Sequence, residues 1–190
     1  MSTPAVRRIR PTNTAPITAP YDRQLSTPRL ALVRATVAAK RAQHPELAGA
    51  ELTLAQLRAL VGREQIELLE TRSATGAGWL GCTHAFEGDC VITLRRGLTA
   101  RVQRVVLAHE LGHCWLHVGD PVVMAWRAAE IRHYRELHPG CQRPSRDQWP
   151  QYGPIYQRCE DEADLVAAEL LGVPVQIIEA VVRTANEALA

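Results

Sequence analysis

From Leu98 to His117 apolar residues recur at helical spacing, and the stretch LAHELGHCWLH sets His109, Glu110 and His113 within that helix. Residues four apart stack on one helix face, so His109 and His113 can direct two imidazoles at a single ion. Glu110 sits one step round and can face a water on that ion without ligating it. An H-E-x-x-H frame on a helix is the arrangement of a metal-dependent hydrolase, with two histidine ligands and a glutamate as general base. The plainer alternative is an amphipathic helix whose histidines face solvent. A catalytic zinc takes three protein ligands and keeps a fourth position open for water, so the metal reading requires another ligand elsewhere in the chain.

His117 is the nearest candidate and is rejected. It lies one further turn along the same helix, about 6 Å beyond His113 by the helical rise, and no glycine bends the chain back; a helix-end or packing role is expected for it. The stretch CEDEADLVAAELL offers better chemistry. Glu160 and Asp164 are four apart on one helix face, and Ala163, Ala167 and Ala168 leave room for close helix packing. With Glu160 on the metal, Asp164 stands one turn behind it, placed to accept a hydrogen bond from the outer N–H of a ligating histidine. Such carboxylates fix the histidine tautomer and raise its basicity. Glu162 is the competitor, but it points about 200° round the helix from Glu160. The alternative here is an acidic, solvated first turn, favoured by the helix dipole alone.

Around these motifs the chain reads as helices, then a hairpin, then helices, which is the order of an α+β domain. Residues 1 to 27, with several prolines, threonines and arginines and no apolar periodicity, are expected to form a flexible arm. Residues 28 to 190 are expected to form a single domain. Helices are predicted from Pro28, and from Thr53 to Gly62; QIELLETRS suits a strand, and GWLGCTHAFEGDCVITLRRG a hairpin turning near Gly88 and Asp89. The segment from about 118 to 157 is a long insert, helical in its first part and rich in Pro and Gly in its second. Two more helices follow, the last with Ile178, Val181, Val182, Ala185 and Leu189 on one face.

The formal charge of +2 demands neither nucleic acid nor membrane. No apolar run approaches a membrane span and no signal-peptide core is present, so a cytoplasmic protein is expected. Five cysteines form no C-x-x-C pair. Cys82 and Cys90 could meet across the hairpin, but buried free thiols are expected in a reducing cytoplasm.

RVVLAHELGHCWLH followed by EDEADLVAAELLGVP resembles the ImmA/IrrE family of zinc metallo-endopeptidases over about residues 78 to 178. The resemblance implies a zincin-like fold, a bound Zn²⁺ on His109, His113 and Glu160, and Glu110 as catalytic base. Asp164 stands where that family has Asn, and Gly172-Val173-Pro174 where it has Met-Pro. Family members relieve repression by acting on helix-turn-helix repressors, so the implied partner is a protein substrate of that class. A second class of function is a zinc-fold sensor or anti-repressor that acts by contact without cutting. Direct nucleic-acid binding through the arginines of the arm is not expected, since no recognition-helix pattern accompanies them. An oxyanion-stabilising donor is expected from the insert, among His133, Tyr134, His138, Tyr152 and Tyr156.

Overall fold

Pro28, with its φ already fixed near the helical value, starts helix α1 (Thr27–Gln43); the preceding Ser26 contributes no side-chain cap. The computed structural model describes residues 25–45, 51–71, 80–86, 89–137 and 154–188. The predicted arm, up to residue 24, and the tip of the predicted hairpin lie outside the described residues, as do Cys141 and Leu189. Thr53 and Gln56 form a reciprocal capping box at the start of α2 (Leu54–Arg63), which satisfies two of the backbone N–H groups orphaned at a helix start.

Three strands follow: β1 (Glu67–Thr71), β2 (Gly81–Phe86) and β3 (Asp89–Arg95). β2 and β3 pair antiparallel, as the hairpin pattern predicts, but β1 adds on the other side of β3 and runs parallel to it, giving the order β1-β3-β2. The period of two puts Gly81 and Thr83 of β2 on the same face as Ile92 and Leu94 of β3. All four are buried.

Thr99 caps α3 (Ala100–Leu116) by accepting from the N–H of Val102. Gly119, at φ 90°, turns the chain after it, and the Asp120 carboxylate caps α4 (Pro121–Leu137) through the amides of Val122 and Val123. Helix α5 (Pro154–Leu171) ends at Gly172, whose φ of 65° suits a residue without a Cβ. Helix α6 (Val175–Glu187) buries Ile178, Val181 and Ala185, the face predicted from its spacing. No single helix among the described residues is long and apolar enough to cross a membrane.

α3 is the hub of this α+β arrangement. It packs most extensively on α5 and also against α2, α6, β2 and β3. Leu107 and Leu111 of α3 are fully buried with Leu57, Ile92, Leu94, Val166, Leu170 and Ile178. Each such side chain contributes about 1.5–3 kcal/mol of apolar transfer free energy. The helix bearing the H-E-x-x-H frame is therefore fixed on several sides at once.

Two details of that packing set the site. A disulfide joins Cys90 of β3 to Cys114 of α3, 24 residues apart, so the expectation of free thiols fails for this pair. The physical reason is the sheet face: Cys90 alternates with Ile92 and Leu94 on the side that receives α3. Nor do Cys82 and Cys90 meet across the hairpin, because the register sets Cys82 opposite Thr93 and Cys90 opposite Ala85. Cys82 and Cys159 lie outside this bridge, the latter buried and its thiol held up at about 11 by that burial.

The second detail is Gly112. A Cβ built there would lie 2.8 Å from the backbone Cα of Ala163 and 3.1 Å from Cβ of Val166. Alanine is about 1 kcal/mol better than glycine inside a helix, so propensity alone predicts that Gly112→Ala stabilises. The clash opposes this, and because it falls on backbone, α3 and α5 must separate to relieve it. Overpacking of that kind costs about 1–3 kcal/mol. Gly112→Ala is therefore expected to unfold at lower urea concentration than the wild type; an unchanged or raised midpoint would show that the two helices are free to move apart.

Candidate metal centre

One turn of α3 and the first half of α5 converge at the motif. Nε2 of His109 and Nε2 of His113 are 3.0 Å apart. The Glu160 carboxylate lies 3.5 Å from the first nitrogen and 3.6 Å from the second, through its two oxygens. Tetrahedral zinc with bonds of about 2.0–2.1 Å sets neighbouring donor atoms about 3.3 Å apart, close to the 3.0 Å between the two nitrogens. Among the described residues these three are the one His/Cys/Asp/Glu group whose donor atoms converge, all within 4.8 Å. Two imidazoles and a carboxylate are a donor set suited to Zn²⁺. The residues present therefore fit the ion that the motif implies.

The side of each ring facing away from this point is also held. Nδ1 of His109 is 2.8 Å from Oδ1 of Asp164, the contact expected from the spacing of Glu160 and Asp164. Burial works against a charge on His109, yet hydrogen bonds to Asp164 and Glu160, with the charges of both, hold its pKa well above the ordinary histidine value. Carboxylates that favour a proton on this ring favour a cation at the same place. His113 goes the other way: burial outweighs the attraction of the Glu160 carboxylate and pushes it well below.

His113 is held by His117, which the sequence assigned to a helix end or to packing and which is the C-cap residue of α3. Its Nδ1 lies 2.9 Å from Nδ1 of His117, whose Nε2 lies 3.0 Å from Oε2 of Glu162. Glu162 accepts two hydrogen bonds from Arg29, at 2.5 and 2.6 Å. Burial raises the Glu162 carboxyl, but the hydrogen bonds from His117 and Arg29, with the Arg29 charge, carry it down to about 2. His117 and Glu162 have no exposed side-chain surface. Glu160, the carboxylate preferred from the sequence, faces the histidine pair, and its competitor Glu162 instead anchors the structure behind it. The spacing of His113 and His117, four apart like His109 and His113, was the available signal, since it puts a third imidazole on the same face.

Glu110 is buried on the sheet side of α3. The Thr83 hydroxyl of β2 donates toward its Oε2 at 2.8 Å and toward its backbone carbonyl at 3.1 Å. At Gly81 a Cβ would come within 2.8 Å of Oε1 of Glu110 and 2.4 Å of Cγ1 of Val106. Glycine at the start of β2 therefore makes the space in which this carboxylate sits. Of the expected oxyanion donors, the side chains of His133 and Tyr134 and all of His138 and Tyr152 lie outside the described residues. Tyr156 is described, with its ring centroid 6.3 Å from that of Trp126 across α4 and α5.

No family model matches the chain, and no curated protein or solved structure matches it.

Proposed function

We propose that this chain is a zinc-dependent endopeptidase with a zincin-like domain, of the kind its motifs resemble, acting on a protein substrate. The observation that carries the reading is the convergence of His109, His113 and Glu160, with Glu110, next to His109 in the chain, buried and hydrogen-bonded by Thr83 of β2. His109, His113 and Glu160 would hold the ion. When bound, zinc supplies Lewis acidity, which makes water a stronger acid and polarises a carbonyl.

The remaining chemistry belongs to the chain. Glu110 removes a proton from the attacking water and returns it to the leaving amine. Thr83 orients that carboxylate, and the missing side chain at Gly81 leaves it room. Asp164 holds the His109 ring with its Nε2 toward the ion. The motif resemblance makes a helix-turn-helix repressor the leading substrate class. The alternative, a zinc-fold sensor that acts by binding alone, has no use for the glutamate of the H-E-x-x-H frame.

Purified wild-type protein is expected to carry one Zn²⁺ per chain by elemental analysis, and Glu160→Ala to lose it. Full occupancy in Glu160→Ala would reject the ligand set. Incubating the zinc-loaded protein with a helix-turn-helix repressor should yield a discrete cut, abolished by a chelator and restored by zinc. Zinc binding without any cut, together with relief of repression, would favour the sensor.

A further inference from the structure

We propose that His117 is a positioning residue for the metal site, presenting the Nε2 lone pair of His113 to the ion by accepting the hydrogen on its Nδ1. The inference rests on the zinc reading above and adds a residue that reading does not use. A carboxylate accepts hydrogen bonds and does not donate them. Across the 3.0 Å contact with Glu162, His117 must therefore carry its hydrogen on Nε2. A neutral His117 then has a lone pair on Nδ1, and that atom faces Nδ1 of His113 at 2.9 Å. The hydrogen between them belongs to His113, which leaves Nε2 of His113 free to donate to a metal. Each link determines the next.

The two candidate histidine ligands reach the same tautomer by different routes. For His109 the carboxylate acts directly, through Asp164 at 2.8 Å. For His113 a carboxylate acts through an intervening imidazole. Glu162 is itself oriented by the two-pronged contact from Arg29, on a helix 133 residues earlier, so the outermost anchor of the site is α1. With His117 and Glu162 fully buried, bulk solvent does not reach these hydrogen bonds. Loss of such outer partners typically lowers metal affinity about 10- to 100-fold.

Two substitutions separate positioning from packing. Asparagine at 117 puts an oxygen close to where Nδ1 lies and keeps an acceptor for His113. Glutamine reaches toward Glu162 instead and vacates the Nδ1 position, although its volume is nearer to that of histidine. Zn²⁺ affinity of the full chain, measured by competition with a chromophoric chelator, should fall about 10- to 100-fold in His117→Gln and only a few-fold in His117→Asn. Equal losses in both, or wild-type affinity in both, would overturn the proposal. If either variant fails to fold, ¹⁵N shifts of the imidazole nitrogens in the zinc-loaded wild type decide: hydrogen on Nε2 of His117 and Nδ1 of His113 upholds it, the opposite assignment overturns it. A wild type that binds no Zn²⁺ overturns this inference and the metal reading together. Zinc binding with the Gln–Asn difference, but without peptide cleavage, upholds the inference and rejects only the peptidase.

Discussion

Glu110→Gln is expected to fold, keep one Zn²⁺ per chain and lose peptide cleavage by about 10⁴-fold or more. A general base contributes about 10²- to 10⁴-fold, and this one handles a proton twice, on attack and on departure of the amine. The amide has no useful proton affinity at neutral pH, so both functions vanish together. Its oxygen can still accept from the Thr83 hydroxyl, now 2.8 Å from Oε2 of Glu110, and volume is nearly conserved. Replacing one buried hydrogen-bonding group by another shifts stability by about 1 kcal/mol, far less than the kinetic effect. Cleavage assays, zinc content and thermal unfolding on the same preparations check this. Cleavage at the wild-type rate would remove Glu110 from the mechanism, and unchanged derepression by the variant with no cut in either sample would leave the contact-only sensor.

Glu162→Ala is expected to be among the most destabilising single substitutions in the chain, although Glu162 touches no proposed ligand. It strands Arg29 and leaves His117 without its acceptor. Breaking a buried ion pair from one side costs about 3–5 kcal/mol, and the lower end applies because the Arg29 side chain keeps 25% of its surface exposed. The pH dependence follows from the folded carboxyl being lowered from 4.5 to about 2. A lowered carboxyl stabilises the fold above its unfolded value, and that stabilisation fades as pH falls through the folded one. The gap between wild type and Glu162→Ala, read by urea unfolding in chelator, is therefore full at neutral pH and closes between about 4.5 and 2. A gap that stays constant down to pH 3 would assign the loss to packing rather than charge.

Local patterns in the sequence were enough to place the helices, the hairpin and the residues one turn apart on them. His109, His113, Glu160 and Asp164 converge as their i,i+4 spacings suggest, because that geometry is internal to single helices and needs only one helix–helix contact to complete. What escaped depends on pairs far apart in sequence. Nothing local to Arg29 announces Glu162, and nothing in CWLH announces that His117 is wholly buried. The parallel pairing of β1 with β3 and the Cys90–Cys114 bridge belong to the same class. Periodicity reports which face a residue occupies, but it does not report what meets that face. Even the choice between Glu160 and Glu162 turned on a partner four residues away, and the second partner set, on other helices, was invisible.

The contact at Gly112 constrains how far sequences descended from this one can drift. Most tight packing can be repaired by evolution, since a larger side chain on one helix is offset by a smaller one opposite. Here the nearest atom facing position 112 is the Cα of Ala163, at 2.8 Å from a built Cβ, nearer than that residue's own Cβ at 3.2 Å. Even Ala163→Gly keeps that Cα in place, so no substitution on α5 reopens the gap. A lineage that acquires a side chain at 112 must re-dock two helices and, with them, the carboxylate of Glu160 against the histidine pair. Position 112 is then a costly place for any side chain, set by main chain rather than by chemistry. Glycine should be the most enriched residue there in a saturation library selected for zinc retention.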